Sequence, residues 1–214
     1  MALPKTKRRL IDPDHERLPA LRISHIVYGR ENLGNRVVYL LDPKREGNEK
    51  AIAEQVVLHR WRRRKFEGFS FSGARLSPNL WRALPLLFGP DVSEWISLSE
   101  TKIQKAFEAK KAVLDNLYVK LPGSNIIKAL ITVCGTERLK AITSRHTNPS
   151  RASKYGTPDL FLYATKISDG SPSIARFVEV KKPEETVSPD QHEEIKFLQS
   201  IGLHARVLRL VERD

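Results

Sequence analysis

The sequence predicts an α/β fold, in which a mixed sheet is flanked by helices and preceded by a helical segment. Apolar residues recur at helical spacing through the middle of the chain, and two runs rich in branched and aromatic residues follow. A strongly capped helix and an alternating strand close the sequence. We therefore divide the chain into a basic N-terminal extension, residues 1–48, and one domain, residues 49–214, with a helical part (49–150) and a strand-rich part (151–214).

The composition indicates a partner class and excludes several kinds of site. Lys and Arg outnumber Asp and Glu by 37 to 25, and the net charge of +12 favours polyanionic partners, nucleic acid first among them. The single cysteine, Cys134, excludes an internal disulfide and a zinc site built from cysteines. No apolar run suits a signal peptide or a membrane span, so we expect a soluble intracellular protein, cytoplasmic or nucleoid-associated, or nuclear in a eukaryote.

Four helices are predicted in the first two thirds of the chain, with a short strand before them around residues 37–41. The first helix is indicated by four-residue spacing of apolar residues, and the second by Ser77 as N-cap, Pro78 in the first turn and a stop at Gly89. The four helices are expected over about 48–65, from Ser77 to Gly89, over about 103–117, and from a cap at Ser124 onward.

The last third predicts two strands, a helix and a third strand. Residues 159–164 and 174–180 have strand composition and are separated by the turn composition of residues 168–172. Ser188 and Gln191 form a capping box for a helix that Gly202 ends, and residues 205–211 alternate as a final strand. This order predicts a hairpin followed by a crossover connection within one sheet.

The hairpin brings charged residues together. Side chains alternate along a strand, so Glu179 and Lys181 share one face, whereas Val178 and Val180 point to the other, where we expect the core. A turn near residues 168–172 places the start of the first strand, at Asp159, next to Glu179. The alternative is an ordinary amphipathic strand whose Glu and Lys face solvent.

Two adjacent carboxylates predict a divalent cation. Carboxylates repel each other unless positive charge lies between them, and hard oxygen ligands suit Mg²⁺ or Mn²⁺. Such an ion activates water and neutralises a leaving oxygen, while an ammonium group such as that of Lys181 orients the water and stabilises the transition state. The backbone carbonyl of Val180, which lies between Glu179 and Lys181, is a further candidate ligand.

These motifs resemble those of the VRR-NUC nuclease domain of the PD-(D/E)XK superfamily, in the branch of the Fanconi anaemia-associated nuclease. The resemblance covers roughly residues 50 to 212. It is carried by Gly156–Leu160, Phe177–Lys181, Val187–Gln191 and Leu198–Val207, and upstream by Glu54–Trp61, Phe66–Gly68 and Leu80–Leu84.

The resemblance implies a restriction-endonuclease-like core and a set of active-site roles. Asp159 and Glu179 would bind the metal ion and Lys181 would assist the water. Glu67 would add a carboxylate, and Gln191 would support the site from the start of its helix. Glu54, within an amphipathic helix, is assigned a surface or pairing role.

The resulting hypothesis is a Mg²⁺- or Mn²⁺-dependent endo- or exonuclease that hydrolyses DNA, selective for 5′ flaps or branched structures in repair or recombination. The enzymatic alternatives are a homodimeric Holliday-junction resolvase and a mobile-element or defence nuclease. An alternative of another class is a catalytically inactive nucleic-acid-binding module. Candidate phosphate contacts, which the composition alone cannot distinguish from a solvated helix end, are Arg60, Arg62, Arg63, Arg64, Lys65 and Lys182.

Overall fold

The computed structural model describes residues 14, 18, 21–28, 30–33, 36–40, 50–148 and 156–212. The strands are β1 (Ile23–Tyr28), β2 (Arg30–Leu33), β3 (Arg36–Leu40), β4 (Lys50–Ala51), β5 (Phe69–Arg75), β6 (Leu160–Lys166), β7 (Pro172–Lys181) and β8 (Ala205–Glu212). The helices are α1 (Ala53–Arg62), α2 (Leu80–Phe88), α3 (Val92–Trp95), α4 (Glu100–Ala109), α5 (Lys111–Asn116), α6 (Ser124–Thr147) and α7 (Pro189–Ser200).

A mixed five-stranded sheet forms the centre of the fold, in the order β1-β8-β7-β6-β5. β5, β6 and β7 are antiparallel neighbours, whereas β8 runs parallel to both β7 and β1. The predicted α/β class is confirmed, with a helical segment before the last three strands. β2, β3 and β4 form a separate antiparallel sheet, and β3 corresponds to the short strand predicted around residues 37–41.

The hairpin and the crossover form as their local sequences predict. Gly170 in the β6–β7 turn has a φ of 69°, a left-handed conformation that glycine adopts without strain. Ser188 caps α7 through its side chain, and Gln191 completes the capping box. Gly202, with a φ of 79°, follows the helix and directs the chain into β8, which pairs in parallel with β7.

Apolar side chains cover both faces of the sheet. One face packs against α1 around Leu160, Val178 and Val180, and the other forms the larger core with the remaining helices. Phe177 lies on the larger core's side, 5.7 Å from the ring of Trp81 and 5.3 Å from the ring of Phe161 (centroid to centroid). Val178 and Val180 are buried in a core, as predicted, and the face that carries Phe177 and Glu179 is a core face as well.

Several element boundaries differ from the predictions. Ser77 does not cap α2, which begins at Leu80, because its hydroxyl accepts from the Lys120 N–H and donates to the Lys120 carbonyl, both at 2.8 Å. The helix predicted over residues 103–117 is two helices, α4 and α5, and the N-cap of α6 is Gly123 rather than Ser124. The first helix, predicted over about 48–65, spans Ala53–Arg62, and β4 occupies part of the predicted span. Strands β1, β2, β4 and β5 were not predicted. Within the described residues, no helix has the length and apolar character needed to cross a membrane.

Candidate active site

Asp159 lies immediately before β6, at the end of the sheet where β7 finishes. Leu160 is in register with Val178, so the carboxylate of Asp159 reaches the last residues of β7. Its Oδ2 accepts a hydrogen bond from the Val180 N–H at 2.8 Å, and its carbonyl accepts one from the Leu76 N–H at 2.8 Å. These bonds fix both the backbone and the side chain of Asp159 beside the Glu179–Lys181 segment.

Glu179 and Lys181 form a buried ion pair on the next strand. Lys181 Nζ lies 3.1 Å from Glu179 Oε1, and only 6% of Glu179 and 3% of Lys181 are exposed. The ammonium group also lies 3.7 Å from Glu185 Oε1. An ordinary amphipathic strand with a solvated Glu and Lys is therefore not what the chain forms.

Burial and neighbouring carboxylates disfavour the charged forms of Glu179 and Asp159. Burial, followed by the neighbouring Asp159, raises the pKa of Glu179 from 4.5 to about 7, although Lys181 opposes this. Burial also raises the pKa of Asp159, against the lowering effect of the Val180 N–H, and Glu54 raises it further. The site therefore concentrates negative charge in a poorly solvated place, where a cation would be stabilised.

Gln191 connects the capping box of α7 to the carboxylate of Glu179. Its Oε1 accepts from the Ser188 N–H at 3.0 Å, while its Nε2 donates to Glu179 Oε1 at 2.5 Å. The helix cap thus fixes which way the amide points, because the oxygen is already used by the backbone. Gln191, which was predicted to support the site, contacts the carboxylate of Glu179.

Arg209 on β8 supports the segment that follows Lys181. Its Nη1 donates to the carbonyls of Lys182 at 3.2 Å and Glu185 at 2.5 Å, and Nη2 forms a buried ion pair with Asp14. These contacts hold the turn that brings Glu185 to Lys181. Arg209 was not predicted from the sequence, because an arginine in an alternating strand resembles a solvent-facing residue.

Glu54 acts electrostatically on Asp159, an effect that was not predicted from the sequence. It lies in the first turn of α1, and Arg75, its ion-pair partner at 3.4 Å, is in register with Leu160 on β6. The pairing role assigned to Glu54 is seen, but its charge also acts on Asp159. The predicted start of this helix concealed the position of Glu54. Because the helix begins at Ala53 rather than near Asn48, Glu54 lies at its N-terminal end.

Glu67 is not brought to the carboxylates. It is exposed in the turn before β5, whose first residue, Phe69, pairs with Lys166, whereas Arg75 at the other end pairs with Leu160. Six residue steps along β5 separate those ends by about 20 Å. This separation excludes Glu67 as a ligand of an ion held by Asp159 and Glu179.

A cavity of about 180 Å³ opens at the carboxylates. Among the residues that the structure describes, no three His, Cys, Asp or Glu side chains already form a metal-binding group. The cavity is lined by Pro78, Gly156, Thr157, Pro158, Asp159, Glu179, Gln191, Glu194 and Ile195. Three carboxylate residues, Asp159, Glu179 and Glu194, therefore line this cavity together with six uncharged residues.

The predicted phosphate contacts fall into two places. Lys182 is exposed just after β7, at the carboxylate end. The basic run from Arg60 to Lys65 lies at and beyond the C-terminal end of α1, the opposite end from Glu54. Within this run, Arg62 donates to the Gly73 carbonyl at 2.6 Å, and Arg63 contacts His59 at 3.3 Å. The run is therefore not adjacent to the carboxylates.

Comparison with known proteins identifies the family. The model of the VRR-NUC domain matches residues 94–212. A crystal structure of paFAN1 bound to DNA with a 2-nt 5′ flap and a gap superposes with a TM-score of 0.54 at 12% identity, covering 92% of this chain and 38% of that one. A second paFAN1 crystal structure, with a 1-nt flap, gives a TM-score of 0.49 at 14% identity over the same shares of the two chains.

The paFAN1 likeness concerns the fold, and this chain spans 38% of the paFAN1 chain that it resembles. A search among curated proteins finds no match. The family model, by contrast, extends from α3 to β8 and includes Asp159, Glu179, Lys181 and Gln191. Because that match covers more than half of its length, the chain belongs to the VRR-NUC domain family.

Proposed function

We propose that this protein hydrolyses phosphodiester bonds of DNA with a divalent cation, Mg²⁺ or Mn²⁺, held by Asp159 and Glu179. The observation that carries the proposal is the adjacent pair of carboxylates, buried Glu179 and half-buried Asp159, in which Asp159 raises the pKa of Glu179 beside the buried ammonium of Lys181. Family membership supports the reaction class, since VRR-NUC is a nuclease domain.

The donor set suits a hard divalent cation. Asp159 and Glu179 supply carboxylate oxygens, and the Val180 carbonyl lies between Glu179 and Lys181 in the chain. Because the charge of Glu54 acts on Asp159, we propose Glu54 instead of Glu67 as the third carboxylate. When bound, such an ion polarises a phosphate oxygen and lowers the pKa of a coordinated water.

The protein's own groups position the reactants. Lys181 is held by Glu179 and Glu185, so its ammonium can orient a water molecule and offset negative charge that develops on the phosphate. Gln191 holds one oxygen of Glu179, which limits the orientations of that carboxylate. The preference for 5′ flaps or branched DNA is proposed on the shared fold with paFAN1, which was crystallised on flap DNA.

The test is cleavage of labelled 5′ flap, four-way junction, single-stranded and duplex DNA, with Mg²⁺ or Mn²⁺ and with EDTA. We expect metal-dependent cleavage by the wild type, strongest on the flap, and its loss in Glu179→Ala. Glu108→Gln, which changes an exposed carboxylate on α4, is the matched control and should cleave like the wild type. Equal cleavage by the wild type and Glu179→Ala would refute the proposal.

Lys181→Ala separates catalysis from binding. Removing the ammonium should lower the cleavage rate by about a hundredfold or more, the size of effect seen when one transition-state donor is lost. Affinity for DNA in EDTA should remain near the wild-type value, because Lys181 is 3% exposed and cannot contribute much to the binding surface. A variant that loses DNA binding and cleavage in parallel would contradict this role.

A further inference from the structure

A second cavity, of about 210 Å³, lies between the C-terminal end of α1 and strands β1, β6, β7 and β8. Val57, Leu162, Val178 and Leu208 contribute an apolar floor. Four arginines line it, two from the end of α1 and one each from β7 and β8. We call them the arginine pocket: Arg60, Arg64, Arg176 and Arg206.

The charges of the arginine pocket are not neutralised by the described part of the chain. No described carboxylate forms an ion pair with any of its four arginines. Burial, followed by the charges of Arg206 and Arg64, lowers the pKa of Arg176, and burial with Arg22 and Arg64 lowers that of Arg206. Guanidinium groups stay charged despite such shifts, so the pocket holds like charges that an anion would stabilise.

The ring of Trp61 contacts two of these arginines. The indole N–H of Trp61 donates to the carbonyls of Ser72 at 2.9 Å and Tyr163 at 3.1 Å, which fixes the ring. The guanidinium carbons of Arg64 and Arg176 lie 5.0 Å and 5.4 Å from the centroid of that ring. Stacking on a ring uses the face of a guanidinium and leaves its N–H edge available for hydrogen bonds to a ligand.

We propose that the arginine pocket binds a phosphate group of the nucleic-acid strand whose cleavage we assign to the carboxylates, so the inference rests on the proposed function. The planar N–H forks of several converging arginines match phosphate oxygens. Such contacts hold the backbone of a strand and read no base.

The position of the pocket defines where that phosphate lies. Arg176 is four residues from Val180 along β7, about 13 Å at the usual rise per residue. Arg176 lies on the face of β7 that α1 covers, opposite Glu179 and Lys181, so this distance is a minimum. A duplex strand advances about 3.4 Å per nucleotide along its axis, so the bound phosphate would lie at least about four nucleotides from the cleaved bond. The arginines of the basic run from Arg60 to Lys65 therefore differ in their surroundings. Arg60 and Arg64 line the pocket, whereas Arg62 donates to the Gly73 carbonyl.

The first test uses inorganic phosphate alone. The melting temperature of the wild type should rise by about 2–4 °C in phosphate relative to chloride at equal ionic strength, which corresponds to about 1 kcal/mol of binding. The double variant Arg176→Gln/Arg206→Gln should lose this gain. Lys102→Gln/Lys105→Gln removes the same charge from exposed positions on α4 and should keep it.

The second test measures flap-DNA affinity in EDTA over a range of salt concentrations. Arg176→Gln/Arg206→Gln should bind about tenfold more weakly and reduce the slope of log K against log salt by about 1, whereas the α4 control should do neither. In a series of flap DNAs, each with one neutral methylphosphonate, one position at least about four nucleotides from the cleaved bond should weaken binding by the wild type by the same factor. That substitution should leave binding by the variant unchanged.

The outcomes separate this inference from the proposed function. An equal phosphate response in the wild type and the arginine-pocket variant would overturn the site. Loss of the phosphate response without any change in DNA affinity would overturn its assignment to a nucleic-acid strand. Neither the response to inorganic phosphate nor the salt-dependent DNA affinity requires cleavage, so an inactive wild type that still gave both expected results would refute the proposed hydrolysis and leave the anion site standing.

Discussion

Three side chains share the central charge of the candidate site. Glu179 accepts from Gln191 and pairs with Lys181, while Asp159 is anchored by the Val180 N–H. The net charge of the two carboxylates and the lysine is negative, and burial increases its electrostatic effect. This arrangement is costly for folding and is of the kind found at functional sites.

The cost of the Glu179 charge predicts a pH dependence of stability. The folded protein binds the proton of Glu179 more tightly than the unfolded chain, so stability without metal should fall as pH rises from about 4.5 to about 7, and level off above. Glu179→Gln removes this proton uptake. Its stability relative to the wild type should therefore increase by about 1–3 kcal/mol between pH 5 and pH 8 in EDTA.

Urea denaturation at the two pH values measures this difference. Glu108→Gln, on the exposed surface of α4, should show a difference from the wild type that does not vary with pH. A stability difference for Glu179→Gln that is the same at pH 5 and pH 8 would mean that Glu179 has an ordinary pKa.

Glu54 and Glu67 provide a matched pair of substitutions. Glu54→Gln removes a charge that acts on Asp159, so metal-dependent cleavage should fall by about a hundredfold. Glu67→Gln, about 20 Å away at the other end of β5, should cleave within about twofold of the wild type. Cleavage rates at several Mn²⁺ concentrations measure both, and the reverse order of effects would contradict the placement of α1 at the carboxylates.

At the scale of elements, the two residues of the α7 capping box have different roles: Ser188 stabilises the helix, and Gln191 also contacts Glu179. Ser188→Ala removes the side-chain acceptor for the Gln191 N–H and should cost about 1 kcal/mol of stability with cleavage retained. Gln191→Ala should cost a similar amount and also lower metal-dependent cleavage about tenfold to a hundredfold, because Glu179 loses its hydrogen-bond donor. Equal effects of the two variants on cleavage would show that Gln191 acts only through helix stability.

The elements that the sequence predicts well are those specified within a few residues. The β6–β7 hairpin follows from a turn composition around Gly170, and α7 from the Ser188–Gln191 pair. β5 was not predicted because it contains Gly73, where an added Cβ would lie 2.7 Å from the Phe161 carbonyl oxygen. A glycine within a short segment disfavours a strand prediction, although here the close approach of β6 requires a residue without a side chain.

The site residues, too, were predictable where a short segment of sequence specifies their proximity. Asp159, Glu179 and Lys181 are brought together by one hairpin, so alternation and a turn suffice to predict their proximity. Glu54 depends on how α1 packs over the sheet, and Glu67 on the direction of β5, neither of which is a local property. The arginine pocket joins a helix end to two strands far along the chain, so no sequence window contains it.

At the scale of the whole molecule, the carboxylates depend on the large core behind β7. Phe177 is buried two residues before Glu179 and packs on Trp81 and Phe161. Phe177→Ala should lower the free energy of unfolding by about 3–5 kcal/mol, as for other buried aromatic truncations. Phe66→Ala, at a ring that is 64% exposed, should change it by less than about 1 kcal/mol in the same urea titration. Similar costs for the two would contradict the assignment of Phe177 to the core.

The central claim is that the carboxylates at the ends of β6 and β7 hold a divalent cation. Anomalous diffraction from a crystal soaked in Mn²⁺ tests it most directly. We expect one strong peak about 2.0–2.4 Å from oxygens of Asp159 and Glu179, with the Val180 carbonyl and Glu54 on its remaining sides, and its loss in Glu179→Ala. A crystal in which Mn²⁺ binds elsewhere while these two carboxylates carry no ion would contradict the account.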